Sequence, residues 1–313
     1  MKFSENWLRT FVNPPLATRE LADALSMGGL DVEQVEADRD DWVLTTKPTP
    51  NRGDCLSLSG IAREVAAVTG APLSLTEIKP VRATINDRLG VTLEAPQACP
   101  RYCGRMVRGV NATAATPEWM TRRLVMSGIR PVSALVDITN YVMLELGQPL
   151  HAFDAGKLEG GIRVRHAKPG EKLTLLNGAV PPLTPAFLVI ADEAKAVALA
   201  GIMGGLDTSV SDTTRDAFLE SAFFSPDVIA GKARLLNFAS DSSYRFERGV
   251  DFAGTLAALE RATQLVLEIC GGSAGPVTEA RAALPSREPV RLRLARAERM
   301  LGIKLDGTQV SDI

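Results

Sequence analysis

Residues 162–166, Ile162-Arg163-Val164-Arg165-His166, alternate apolar with basic side chains, the period-two pattern of a strand that buries one face. The pattern places Ile162, Val164 and His166 on the inner side. Downstream, Leu173 and Leu175 run into Asn177-Gly178, a tight-turn signal. The 187–191 run, the Asp192-Glu193 break and the 196–200 run predict a hairpin. Helices interrupt the strands. Thr116-Pro117 and Ser225-Pro226 each set a capping hydroxyl before a proline suited to a first helical turn. The longest predicted helix covers 252–269, begins near a cap at Asp251 and stops at Gly271-Gly272. Strands and helices mix without regular alternation, which predicts an α+β domain rather than a doubly wound sheet.

Upstream lies a smaller unit. Thr18 caps a predicted helix with Leu21, Ala22 and Leu25 inward, ending at Gly28-Gly29, and 30–35 reads as extended. The 36–41 stretch is a charged, featureless join. A second helix, capped by Asp54, carries Leu58, Ile61, Val65 and Val68 on one face and ends at Gly70. At the far end, Val290, Leu292 and Leu294 alternate with arginines as a strand. A new helix starts after Asp306, its apolar stripe just begun at Val310 and Ile313, which is expected to be the opening of a further module.

Composition narrows the function classes. The 313 residues carry 35 Lys+Arg against 37 Asp+Glu, a net charge of −2, which argues against strong sequence-blind nucleic-acid binding by the chain as a whole. The apolar run 196–206 is far short of the roughly 20 residues of a spanning helix. Met1-Lys2-Phe3-Ser4-Glu5-Asn6 holds no apolar signal core, which predicts a cytoplasmic protein without a membrane role. Cys55, Cys99, Cys103 and Cys270 form no CxxC pair, so reduced thiols and no structural metal are expected. His151 and His166 are the two histidines, which excludes chemistry needing several.

Gly271-Gly272-Ser273-Ala274-Gly275 matches a hydrolase nucleophile elbow. It follows a predicted helix instead of a strand, however, and no histidine lies beyond position 166, so a helix-ending glycine cap is the better reading. Neither a P-loop nor a dinucleotide fingerprint is present. In 147–154, Gly147 ends a helix, Pro149 blocks its continuation and His151 follows in a loop, as a backbone-satisfied or a functional histidine. Gly201-Ile202-Met203-Gly204-Gly205 reads either as a sharp turn or as backbone approaching something closely. The 240–249 run is hydroxyl-rich and dibasic, a solvated loop by default. Arg101, Arg105, Arg108, Arg122, Arg123 and Arg130 share their stretch with the single carboxylate Glu118, and either form a local positive face or scatter over several.

Taken together, several stretches resemble the bacterial phenylalanyl-tRNA synthetase β-subunit family. They are Met1-Lys2-Phe3-Ser4 with Trp7-Leu8, then Pro50-Asn51-Arg52-Gly53-Asp54-Cys55-Leu56, then Pro100-Arg101-Tyr102. Val136-Asp137-Ile138-Thr139-Asn140-Tyr141-Val142 follows, then Glu145-Leu146-Gly147-Gln148-Pro149 and His151-Ala152-Phe153-Asp154. Glu220-Ser221-Ala222-Phe223-Phe224-Ser225-Pro226 and Tyr244-Arg245-Phe246-Glu247-Arg248-Gly249-Val250-Asp251 complete the set, which covers nearly the whole chain. The resemblance implies a first module over 1–79, an editing domain with a β-barrel-like core over 80–286, and the start of a further module over 287–313. The family's tRNA-binding barrel module is missing near 36–42.

The resemblance also implies a function. The family joins phenylalanine to its tRNA as a heterotetramer of two α and two β subunits, using ATP and Mg²⁺ that bind chiefly on α, so no cofactor is expected in this stretch. Its editing domain hydrolyses mischarged tyrosyl-tRNA. Glu220 matches the glutamate that accepts from the tyrosine phenol. Arg130, His151 and Ser240 match residues facing the tRNA 3′ end and the ester, with His151 and Ser240 the catalytic candidates. Gly204 and Gly205 match the backbone wall beside the substrate, and Ser242 stands where many relatives have alanine. The competing expectation is a noncatalytic RNA- or protein-binding scaffold that braces the α subunit, and an unrelated esterase comes third.

Overall fold

The computed structural model describes residues 1–312, so Ile313 of the predicted stripe lies outside the described residues. Residues 1–283 form one unit and a second begins at Leu284. Strand β1 (Lys2–Ser4) runs straight into α1 (Glu5–Arg9), whose first turn is capped by Ser4 Oγ accepting from the Trp7 N–H. Helix α2 (Thr18–Met27) buries Leu21, Ala22 and Leu25 as the spacing predicts. Its cap differs: Ala17, not Thr18, holds the capping position, and the Glu20 carboxylate accepts the Ala17 N–H.

The 36–41 join is a hairpin rather than a featureless link. Strands β2 (Val32–Asp38) and β3 (Asp41–Thr46) pair antiparallel, with Arg39 at φ 55° in the turn, and β1 completes the sheet in the order β1-β3-β2. Asp41 is buried there because its carboxylate receives the Ser4 hydroxyl at 2.6 Å and the Asn6 N–H at 2.9 Å. Helix α3 (Leu58–Thr69) is capped by Ser57, not Asp54, and closes on Gly70 at φ 70°. Ile61 and Val65 are buried, whereas Val68 is exposed.

The larger part starts with β4 (Val91–Leu93), β5 (Arg101–Arg108), α4 (Glu118–Met126), α5 (Ala134–Leu146) and β6 (Leu150–Asp154). The strands β7 (Ile162–His166), β8 (Leu188–Ala191), β9 (Ala196–Leu199), β10 (Met203–Gly204) and β11 (Asp216–Phe223) follow. Short helices α6 (Pro226–Ile229), α7 (Lys232–Leu235) and α8 (Asp241–Phe246) precede the long α9 (Thr255–Ile269), then β12 (Ser273–Ala274) and β13 (Thr278–Arg281). One sheet has the order β10-β9-β8-β7-β4 and the other β12-β5-β11-β6, with β13 also on β5. The fold is α+β, and its sheets stay open rather than closing into a barrel.

Strand β11 separates two cores. Ala217 and Leu219 pack with Ile138, Val142, Leu259 and Val266 of α5 and α9. Phe218 and Ala222 face the other way, with Val164, Ile190 and Ala198 of the second sheet. Period-two geometry puts Glu220 on this inter-sheet side. The 187–200 hairpin forms as β8 and β9, and Gly271 and Gly272, at φ 68° and 101°, end α9 as the glycine-cap reading predicts.

Two strand expectations fail. In β7, Ile162 and Val164 are buried, but Arg165 is buried with them and His166 is exposed. The reason is an ion pair: Arg165 reaches Glu171 at 2.6 and 2.9 Å, which satisfies a guanidinium turned inward. In the second unit, Val290 and Leu292 are exposed and form no strand, and Leu294 opens α10 (Leu294–Leu301). Helix α11 (Gly307–Asp312) does begin after Asp306, whose carboxylate accepts from Thr308 and Gln309.

Candidate functional site

His151 lies on a strand, not in a loop. Gly147, at φ 80°, ends α5 and turns the chain into β6, which pairs antiparallel with β11 so that His151 and Glu220 are direct Cα partners. Both side chains border a cavity of about 90 Å³, with Gly204, Met203, Phe224 and Ser242 among its other walls. His151 is half-buried, yet its Nε2 is shut off from solvent and has no protein partner. Its ring stands edge-on to Phe153, centroids 4.4 Å apart. Burial pulls the imidazole down to about 4, so it is neutral at pH 7.

Glu220 is shifted the opposite way. Burial raises its carboxyl to about 8, against the lowering effect of Tyr102, whose hydroxyl donates to Oε2 at 3.0 Å. A neutral acid and a neutral imidazole therefore share the cavity. The glycine run approaches closely, as one of its two sequence readings holds: a Cβ on Gly204 would stand 2.7 Å from His151 Nε2. Gly205 borders a separate cavity with Lys172, Lys195 and Thr208, and a Cβ there would meet the Val197 carbonyl.

The 240–249 run is helical where a loop was expected. Ser240 caps α8, accepting from the Ser243 N–H while donating to the Ile202 carbonyl at 2.7 Å. Ser242 donates to the Gly201 carbonyl at 3.1 Å. These two hydroxyls clasp the glycine run to α8, and Ser242 lines the cavity, whereas Ser240 lies behind its wall. Arg245, buried in α8, donates to the Leu56 carbonyl and to Asp241, tying the 50–57 segment to the same helix.

Arg130 is exposed between α4 and α5 and does not border the cavity. The arginine stretch does not make one positive face. Arg101 pairs with Glu279, Arg105 with Glu260, Arg108 with Asp87 and Asp216, and Arg122 with Asp40. Arg123 lies over Trp7 and donates to Tyr141. Sequence reasoning gave Tyr102 no role, since a lone tyrosine in a strand carries no signal for the residue two positions along a neighbouring strand that it will meet.

Among the described residues one acidic–thiol cluster, Asp54, Cys55 and Glu64, has its donor atoms close enough for a cation. The Arg52 guanidinium already occupies it, 2.8 Å from Asp54, 2.5 Å from Glu64 and 3.0 Å from Cys55 Sγ. Cys55 is pushed up to about 12, chiefly by burial, which leaves a thiol instead of a thiolate ligand. This donor set does not fit Mg²⁺. No helix among the described residues is long and apolar enough to cross a membrane.

Residues 98–271 match the B3/4 domain family. The chain is 44% identical over 433 aligned positions to a protein of Nitrosospira multiformis named phenylalanine–tRNA ligase β subunit, covering 100% of this chain and 55% of that one. A protein of the same name from Dechloromonas aromatica is 60% identical over 276 positions, 88% of this chain and 35% of its own length. The chain thus spans from about a third to about half of these relatives. An N-terminal fragment of the phenylalanyl-tRNA synthetase β subunit from Pyrococcus horikoshii aligns over 99% of the chain at TM-score 0.45 and 14% identity.

Proposed function

Because the chain belongs to the B3/4 domain family, we propose that it serves phenylalanine–tRNA ligation as part of a ligase β subunit, and that its cavity proofreads by hydrolysing tyrosyl-tRNA. The observation that carries this reading is the direct pairing of Glu220 with His151 across β11 and β6 at one cavity. An apolar pocket built for phenylalanine rejects an added hydroxyl by only about 10²-fold, so a second site that rewards the hydroxyl is needed. A buried carboxyl group does that: it hydrogen-bonds a phenol and is left unpaired by a phenyl ring.

The chemistry asks little of the protein. The ester is already activated, so positioning a water and polarising the carbonyl suffice. His151 Nε2, buried without a protein partner, supports a role in orienting that water. At about 4 its basicity lies well below the operating pH, so orientation outweighs general-base action. The Gly204 backbone, free of a side chain, leaves the imidazole room to sit against the cavity wall. Ser240 acts through the Ile202 carbonyl it holds, and Arg130 meets the tRNA outside the cavity. A cavity of about 90 Å³ is smaller than the roughly 150 Å³ that holds a benzene ring, so the phenol enters as the Met203 side chain, flexible and half-buried, gives way.

In this reading 1–79 and 80–286 are the first and editing modules, 287–313 opens the next, and the protein works in the cytoplasm with an α subunit and the tRNA for phenylalanine. ATP and Mg²⁺ serve the ligation step on the α subunit, and no step at this cavity runs through them. A noncatalytic brace for the α subunit is the second reading, favoured by the exposed Trp119, Val125 and Val132 in and after α4. Incubating the chain with tyrosyl-tRNA specific for phenylalanine separates the two. Release of tyrosine above the buffer rate supports proofreading, and no release by either the chain or the complete ligase supports the brace.

A further inference from the structure

The two oxygens of Glu220 have different surroundings. Tyr102 Oη, reaching across from β5, donates to Oε2 at 3.0 Å, while no protein hydrogen bond reaches Oε1 among the described residues. Tyr102 is fully buried, and burial holds its phenol well above its ordinary range, so it remains a donor throughout the working pH range. In a neutral carboxylic acid the carbonyl oxygen is the better acceptor, so a fixed donor on Oε2 favours the tautomer with the proton on Oε1.

We propose that Tyr102 is a positioning residue for ligand recognition: by donating to Oε2 it fixes the proton of Glu220 on Oε1, so that the cavity offers a phenol an O–H donor instead of a carboxylate acceptor. The inference rests on the reading of Glu220 as the group that meets the tyrosine hydroxyl, and it reverses the direction of that hydrogen bond. The buried carboxyl, neutral up to about pH 8, agrees with it. The ligand class is then a phenol whose oxygen accepts. A phenyl ring leaves the Oε1 proton unmet, which costs binding.

The test titrates the Glu220 carboxyl of this chain by infrared and carbon NMR, in Tyr102→Phe and in a chain carrying 3-fluorotyrosine at position 102, with p-cresol and toluene as probes. Removing the donor should raise the Glu220 midpoint by about one pH unit, and the more acidic fluorophenol should lower it. p-Cresol should raise the midpoint of the unaltered chain and lose affinity as the pH passes it. A midpoint unmoved by both replacements, or lowered by p-cresol, overturns the proposal. If Tyr102→Phe does not fold, the fluorotyrosine chain, which keeps the volume, decides alone. If both replacements move the midpoint but p-cresol and toluene bind equally, the recognition role and the proofreading reading fail together, whereas an unmoved midpoint with p-cresol still preferred over toluene overturns the Tyr102 role alone.

Discussion

Glu220 and His151 are Cα partners across β11 and β6, and burial shifts their ionisation in opposite directions, to about 8 and about 4. Each is neutral at pH 7, so the cavity holds two polar groups and no net charge from them. A neutral cavity admits an uncharged phenol without stripping water from an ion.

This pairing predicts how stability depends on pH. An unfolded His151 takes up its proton near 6.5 and the folded one near 4, so its contribution is present above pH 6.5 and lost as the pH falls through 4. Glu220 runs from 4.5 unfolded to about 8 folded, so its contribution is full below pH 4.5 and lost as the pH rises through 8. The full swings are roughly 3–5 kcal/mol. Glu220→Gln should therefore raise the Tm more at pH 8.5 than at pH 4.5, and His151→Gln should raise it more at pH 4 than at pH 8. Thermal unfolding across that range checks both, and reversed trends would show that the groups are charged when folded.

Gly204→Ala tests the close approach. Its Cβ would stand 2.7 Å from His151 Nε2, in a ring that already packs edge-on against Phe153 at 4.4 Å between centroids. Overpacking of this kind costs about 1–3 kcal/mol, and a displaced imidazole should slow ester hydrolysis at least about tenfold. Retained hydrolysis with a retained Tm would mean that the ring has room the structure denies it.

Several features were legible before any coordinates. The 187–200 hairpin and the helix ends at Gly70 and Gly147 follow from local rules, since one residue's backbone freedom or one period of side chains decides each, whereas the glycine run 201–205 reads equally as a sharp turn. Arg165 was not legible, because what turns it inward is Glu171, a partner beyond the strand. Asp41 is similar: its charge reads as surface until Ser4 and the Asn6 N–H arrive from the chain start. The site depended on the same kind of information. His151 and Glu220 meet only through the β6–β11 register, and Tyr102 joins them from β5, so their motifs could be recognised while their contact could not.

The internal ion pairs change what the arginines do for RNA binding. Arg105→Ala should leave the buried Glu260 carboxylate unmet and destabilise by about 3–5 kcal/mol. Arg130→Ala, at an exposed position, should leave the Tm unchanged and flatten the salt dependence of tRNA affinity by about one in slope. Binding titrations at several salt concentrations measure this, and an unchanged slope removes Arg130 from the RNA contact.

The most direct measurement is hydrolysis of tyrosyl- and phenylalanyl-tRNA by Glu220→Ala and His151→Ala, each built into the complete two-subunit ligase. Losing the phenol contact should slow tyrosyl hydrolysis about ten- to 150-fold in Glu220→Ala and leave the slow phenylalanyl reaction as it was. His151→Ala, which loses the oriented water, should slow both esters alike. Equal losses on both esters for Glu220→Ala, or unchanged tyrosyl hydrolysis in both variants, would contradict the account.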